Sequence, residues 1–117
     1  MRIALTLLAV AVAAAALTAP LAFGGAAVTQ TVRVTETDYK ISLSTRPKAG
    51  KVMFVIRNAS GHSHDFRLKG NGIVRKTPLL APGQTARLTV TLKRGERYQL
   101  WCAPHEDKGM RATFVAR

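Results

Sequence analysis

Apolar and polar positions alternate with a period of two along most of the chain after residue 30. Val32 and Val34 are flanked by polar residues, and Ile41 and Leu43 repeat the pattern. A longer run has its apolar positions at Ala86, Leu88, Val90 and Leu92. Such alternation is typical of β-strands with one face on a core and the other in water. The chain is therefore expected to be rich in half-buried strands.

One segment, residues 52–56, is apolar on both faces, which predicts a strand near the centre of a sheet. No long segment with helical periodicity follows residue 32. Turn-forming residues separate the strand segments, at positions 47–50, 58–61, 70–72, 82–83 and 95. This spacing predicts one all-β domain, an antiparallel sandwich or barrel of about seven to eight short strands.

The N-terminal segment has the composition of a targeting signal. Arg2 precedes an apolar stretch at residues 3–17, and small residues follow at 24–27. A positive charge, an apolar centre and a small-residue exit are the parts of a secretory signal. They predict a signal helix over residues 1–27 and a folded domain over residues 28–117.

An uncleaved membrane anchor is the alternative for this segment. Residues 3–23 approach the ~20 apolar positions that span a bilayer. Pro20 and the Gly-Ala exit favour cleavage near Ala27 instead. Either way, we expect a periplasmic or extracellular domain, released or membrane-anchored.

Candidate chemistry is concentrated near the C-terminus, where Cys102, His105 and Met110 fall within nine residues. Cys102 is the only cysteine, and a lone cysteine in an exported protein is best explained here by metal ligation. An upstream segment adds His64. Two histidines, one cysteine and a weak axial methionine form the ligand set of a mononuclear blue-copper electron-transfer site. The sequence therefore predicts one copper ion that alternates between Cu(I) and Cu(II).

The strand pattern independently indicates that these ligands point inward. Residues two apart in a strand line the same face. The apolar residues that share a face with each candidate are Tyr98 and Leu100 for Cys102, Ala112 and Phe114 for Met110, and Phe66 and Leu68 for His64. His105 lies within the loop between two strands, so one edge of its ring is expected to face solvent. His62 has the same parity as His64 and remains an alternative ligand.

Residues 102–110 resemble the copper-binding loop of the cupredoxin family, most closely its plastocyanin-like members. They keep the Cys-x2-His-x4-Met spacing, with Pro104 before the histidine and Gly109 before the methionine. The other similar features are the Asn…His-acid-Phe segment at 58–66, the Leu-Ala-Pro-Gly-Gln segment at 80–84, and Tyr98 four residues before Cys102.

This resemblance implies a Greek-key, cupredoxin-like sandwich. It also implies that the exposed edge of His105 passes electrons and that Asn58 braces the site through hydrogen bonds. The copper ligands that it implies are His64, Cys102, His105 and Met110.

The net charge of the chain indicates which classes of partner it can attract. It has 18 basic and 6 acidic residues, a formal net charge of +12, and about +11 without Arg2. No basic run exceeds two residues and aromatic residues are few, which argues against nucleic-acid binding. A positive field is better suited to an acidic redox partner, such as a cytochrome or oxidase, or to an anionic membrane surface. We expect a monomer.

Three functions are compatible with these residues. The first is an exported one-electron shuttle, and the alternative is a periplasmic copper carrier or buffer without an electron-transfer role. The third is a thiol enzyme that uses Cys102 with His105 or His64. Neither an orienting Asn nor an orienting Asp is evident for such an enzyme, and Cys102 is expected to point inward. The sequence therefore favours a copper protein that is not an enzyme.

Overall fold

The alternating segments form strands that pair into two four-stranded sheets. The computed structural model describes residues 27–28 and 30–117. Within them the strands are β1 (Gln30–Thr37), β2 (Lys40–Leu43), β3 (Gly50–Asn58), β4 (Arg67–Gly70), β5 (Ile73–Lys76), β6 (Thr85–Leu92), β7 (Arg97–Trp101) and β8 (Arg111–Val115). A 3-10 helix, Ala103–Lys108, connects β7 to β8. The eight strands confirm the predicted all-β sandwich.

The expected signal helix over residues 1–27 lies outside the described residues, apart from Ala27. Among the residues that are described, no helix has the length and apolar character needed to cross a membrane.

The strand order is β2-β1-β3-β6 in the first sheet and β5-β4-β7-β8 in the second. Neighbouring strands are antiparallel except β1 and β3, which are parallel from Gln30 opposite Val52 to Glu36 opposite Asn58. β2 forms a hairpin with β1 at the sheet edge, so β3 enters on the other side of β1 in the same direction. The period-two pattern reports which face of a strand is buried and carries no information on strand direction. The parallel pair was therefore not predicted.

This pairing brings several strand ends to the same end of the sandwich, which we call the site pole. β1 and β3 both end there. β7 ends there as well, because Cys102, the residue after it, lies beside His64, whose ring contacts Asp38 in the turn after β1. The backbone amide of Ala59 donates to the carbonyl oxygen of Glu36 over 2.8 Å, which joins the ends of β3 and β1. The loops that carry the candidate ligands leave from this pole.

The core lies between the two sheets. β3 is central in its sheet, as its apolar pattern predicted, and Phe54 on its inner face reaches across the sandwich. The ring centroid of Phe54 lies 5.8 Å from that of Phe66 and 6.3 Å from that of Phe114. The fully buried apolar side chains include Val32, Val34, Val52, Ile56, Leu68, Tyr98 and Leu100.

Glu36 is the last residue on the inner face of β1, close to the site pole. Glu36 follows Val32 and Val34 on that face and is fully buried. Neither of its carboxyl oxygens has a hydrogen-bond partner among the described residues. Burial, and secondarily the negative charge of Asp65, raises the pKa of Glu36 to about 8. The group is therefore mostly protonated at neutral pH, which avoids placing a charge in the core.

Glu36→Gln should change how stability depends on pH. An unfolded chain releases the Glu36 proton near pH 4.5, but the folded protein holds it to about pH 8. As pH rises from 4.5 to about 8, the free energy of unfolding of the copper-free protein should therefore fall. This group should contribute up to about 1.4 kcal/mol per pH unit to that fall. Urea unfolding at several pH values should show that the variant lacks this contribution.

Glu106→Gln makes the same chemical change at an exposed position and serves as the matched control. Its pH profile should run parallel to that of the parent. If the Glu36→Gln profile is also parallel to the parent, the assignment of a proton to Glu36 is wrong.

Candidate metal centre

The β7–β8 hairpin places two of the predicted ligands side by side. Cys102 directly follows β7 and Met110 directly precedes β8. The backbone amide of Cys102 donates to the carbonyl oxygen of Met110 over 3.1 Å. Both side chains are fully buried. They therefore point into the core, as the alternation pattern predicted.

His64 reaches the same place from the loop that leads into β4. It forms an antiparallel bridge with Leu80, in which each backbone amide donates to the other's carbonyl oxygen, over 3.0 and 2.7 Å. Its side chain is fully buried. Cys102, Met110 and His64 thus lie next to β7, β8 and β4, which are all strands of the second sheet.

The loop that carries His105 is shaped by a proline and a glycine. Pro104 lies in the first turn of the 3-10 helix, and Gly109 ends it with a left-handed φ of 78°. Glycine adopts that conformation without the steric penalty of a Cβ atom. The amide of Met110 donates to the carbonyl oxygen of His105 over 3.3 Å, which folds the loop back toward Cys102. His105 remains half-buried at the surface of the site pole.

Three ligand atoms converge in this arrangement. The Cys102 Sγ atom lies 3.6 Å from His64 Nδ1 and 3.7 Å from His105 Nδ1, and the two nitrogens are 3.0 Å apart. The point equidistant from the three atoms lies about 2.0 Å from each, near the ~2.0–2.3 Å at which imidazole nitrogen and thiolate sulfur bind a metal such as zinc. The donor set and its spacing therefore fit a metal ion.

His62, the alternative ligand, lies outside this cluster. Its side chain is 63% exposed, and its Nδ1 atom lies 3.0 Å from a carboxylate oxygen of Asp38. The cluster contains His64 rather than His62 because both the backbone amide and the carbonyl oxygen of His64 are hydrogen-bonded to Leu80.

Asp65 connects the His64 segment to the Cys102 loop. Asp65 is buried, as are its neighbours His64 and Phe66, so the alternation of buried and exposed positions does not hold at these residues. One carboxylate oxygen accepts the Ala103 amide over 2.9 Å, and the other accepts Arg67 Nε over 2.9 Å. The alternation pattern gave no sign of this burial, since it describes strands and not the loops that pack over them.

Asn58 supplies the brace that the resemblance implied. Its Nδ2 atom donates to the carbonyl oxygens of His62 and Leu80, over 2.7 and 2.9 Å. Its Oδ1 atom accepts the backbone amide of Ser60 over 3.0 Å. The side chain thus joins the loop before His64 to the segment that pairs with His64.

Two residues of the β1–β2 turn also contact the site and were missed from the sequence. Asp38 Oδ1 lies 3.2 Å from His64 Nε2, on the side of the ring away from the cluster. The Tyr39 ring centroid lies 5.2 Å from that of His105. The sequence offers no signal for these contacts, because the ligands lie far along the chain from this turn. Asp38, Tyr39 and Asn58 all come from the first sheet.

The protonation states of the metal-free site follow from burial. Burial raises the pKa of the Cys102 thiol to about 11, so the thiol keeps its proton at neutral pH. Burial lowers the pKa of His64 and outweighs the hydrogen bond that His64 donates to Asp38, which raises it. His64 is therefore a neutral imidazole near pH 7, with a lone pair available to a metal.

The sequence profile of a family described as "Cupredoxin-like domain" matches residues 4–116. The chain belongs to the cupredoxin family. This confirms the resemblance seen in the motifs. The family and the arrangement of the predicted ligands fit a single type 1 copper site, formed by His64, Cys102, His105 and Met110.

Several solved structures share the fold of this cupredoxin. A dithionite-reduced auracyanin from Roseiflexus castenholzii is 14% identical, with a TM-score of 0.60, over 79% of this chain and 99% of that chain. Auracyanin B is 16% identical, with a TM-score of 0.66, over 80% and 92%. A multicopper oxidase is 19% identical, with a TM-score of 0.52, over 75% of this chain and 41% of the oxidase. No curated protein matches the chain.

Metal binding to the copper-free protein should release the Cys102 proton. Because the thiol pKa is about 11, each unit of pH increase from 7 to 9 raises the thiolate fraction tenfold. The affinity for zinc, used as a redox-inactive probe, should therefore rise about tenfold per pH unit in chelator competition. Cys102→Ser should bind zinc more weakly and lose this slope. A flat profile for the parent protein would show that the thiol does not bind the metal.

Proposed function

We propose that this cupredoxin is an exported mononuclear blue-copper protein that shuttles single electrons between redox partners. The observation that carries the proposal is the triangle of Cys102 Sγ, His64 Nδ1 and His105 Nδ1, with sides of 3.0 to 3.7 Å. Met110 is buried beside Cys102 and supplies the weak fourth ligand. This donor set is the one that blue-copper electron-transfer sites use.

The role of the protein in this chemistry is to hold the ligands still. A copper ion held by these residues would supply one-electron redox chemistry. Thiolate and thioether sulfur favour Cu(I), whereas imidazole suits both oxidation states. Cys102, Met110 and His64 are fully buried in a packed core, and close-packed interiors resist rearrangement. Ligands that barely move between the two oxidation states keep the reorganisation cost of electron transfer small.

The same burial argues against a thiol enzyme. A catalytic cysteine needs a substrate beside its sulfur and a thiolate that forms readily. Cys102 is fully buried, and burial raises the pKa of its thiol to about 11. Both features suit a metal ligand better than a nucleophile.

We place the route for electrons at His105. This ring is half-buried at the site pole, whereas the other two ligands of the triangle are fully buried. Apolar side chains are exposed at the same pole, with Tyr39 at 40% exposure beside His105. Leu79 follows Pro78 in the segment before the His64–Leu80 bridge and is 58% exposed. An apolar surface around a ligand edge suits brief contact with a partner protein.

The charge of the chain indicates the kind of partner. A formal net charge of +12 produces a positive field that attracts acidic surfaces and speeds encounter. The partners we propose are acidic redox proteins, such as a cytochrome or an oxidase, and the second use of this field is association with an anionic membrane. Export is supported by the apolar segment after Arg2.

Addition of Cu(II) to the purified protein should produce an intense blue colour that a reductant bleaches reversibly. His64→Ala should lose the colour because it removes one of the three ligand atoms of the triangle. His62→Ala is the matched control, two residues away, and should stay blue. Cys102→Ser should lose the charge-transfer band while its far-ultraviolet circular dichroism stays that of the parent.

A colourless copper-loaded parent protein would contradict the proposed function. Transfer of Cu(I) to an acceptor protein, together with slow electron exchange with a cytochrome, would instead favour the copper carrier.

A further inference from the structure

The turn between β1 and β2 is unusual for a hairpin. Thr37 pairs with Lys40, so Asp38 and Tyr39 form a two-residue turn. Tyr39 has a φ of 67°, in the left-handed region that turns normally fill with glycine or asparagine. Bulky residues with positive φ are outliers, and they persist where the surrounding contacts hold them.

The contacts of this turn are with the site. The Tyr39 ring packs on His105, with ring centroids 5.2 Å apart. Asp38 Oδ1 lies 3.2 Å from His64 Nε2 and 3.0 Å from His62 Nδ1. Among the described residues, these two imidazoles are the only hydrogen-bond partners of the Asp38 side chain. Asp38 is thus not occupied in capping its own turn.

The contact between Asp38 and His64 determines which ring nitrogen of His64 carries hydrogen. An ionised carboxylate has no hydrogen to donate, so its oxygens only accept hydrogen bonds. Because Asp38 Oδ1 lies 3.2 Å from His64 Nε2, that nitrogen must carry the hydrogen. The Nδ1 atom of His64, which faces Cys102 and His105, is then left with its lone pair free.

We propose that Asp38 is a positioning residue that holds His64 in the tautomer and orientation suited to binding copper and that favours Cu(II) over Cu(I). This inference rests on the proposed function. A carboxylate that accepts the outer N–H of a ligating histidine fixes the ring and makes its other nitrogen a stronger donor. The negative charge also stabilises the more positive oxidation state. Asp38 therefore lowers the reduction potential of the site.

The experiment uses two substitutions at this position. Asp38→Asn keeps an oxygen acceptor for His64 and removes the charge, whereas Asp38→Ala removes both. Loss of such a partner typically weakens metal binding about 10- to 100-fold. If the affinity for Cu(II) falls by this factor and the affinity for Cu(I) does not, the reduction potential rises by about 60 to 120 mV, at 59 mV per tenfold change for one electron. Voltammetry of the copper-loaded variants measures this shift.

A second readout needs no copper. Nitrogen-15 NMR of the copper-free protein at pH 8 should show the Nε2–H tautomer of His64 in the parent and in Asp38→Asn. In Asp38→Ala a substantial Nδ1–H population should appear. A residue that only stabilised the turn would change neither the tautomer nor the potential of a folded variant.

His62→Ala is the matched control, because it removes the other imidazole from Asp38 and leaves the carboxylate on His64. It should keep the Nε2–H tautomer and should not raise the potential. A rise as large as that of Asp38→Asn would overturn the assignment to the Asp38–His64 contact.

Failure of the proposed function and failure of the inference about Asp38 give different results. A parent protein that does not turn blue with Cu(II) would refute the proposed function. A blue Asp38→Asn protein with the parent's potential, or a parent whose His64 is the Nδ1–H tautomer, would overturn only this inference. If Asp38→Ala fails to fold, Asp38→Asn and the parent tautomer still decide it.

Discussion

The site depends on the buried side chain of Asn58 at the end of β3. Its amide donates to two carbonyl oxygens, those of His62 and Leu80, and its oxygen accepts the amide of Ser60. The Asn58 backbone continues the connection, since its amide donates to Gln84 and its carbonyl oxygen accepts from Gly83. One residue thus joins two segments, residues 60–62 and residues 80–84, to the end of β3. Hydrogen bonds shielded from water are costly to break, because a lone partner stays unsatisfied.

Fixing those segments fixes His64. Its bridge to Leu80 holds the backbone, and the carbonyl of Leu80 is itself held by Asn58. The other two atoms of the triangle belong to the β7–β8 hairpin, in which Cys102 pairs directly with Met110 and the Ala103 amide donates to Asp65. The ligand geometry therefore comes from a rigid hairpin on one side and a cross-braced loop on the other.

The sequence predicted that the candidate ligands Cys102 and Met110 point inward, because they obey the pattern of the strands beside them. Cys102 and Met110 continue the buried faces of β7 and β8, so parity alone gave their direction. The parallel pairing of β1 with β3 was beyond that pattern, because alternation does not specify a partner strand. Asp38 and Tyr39 were missed for a related reason: their contacts join residues that are more than twenty positions apart through a turn whose conformation the sequence does not indicate. The burial of Asp65 was missed likewise, because its carboxylate contacts Ala103, 38 positions further along the chain.

The two sheets supply different parts of the site, and this affects which residues can be substituted without changing the ligand atoms. The atoms of the triangle come from segments attached to the second sheet, whereas Asp38, Tyr39 and Asn58 come from the first. A two-residue hairpin at a sheet edge tolerates replacement far better than a buried hairpin does. If Asp38 acts on His64 as proposed, exchange of residues 38 and 39 would give a series of proteins that share the same ligand atoms and differ in reduction potential.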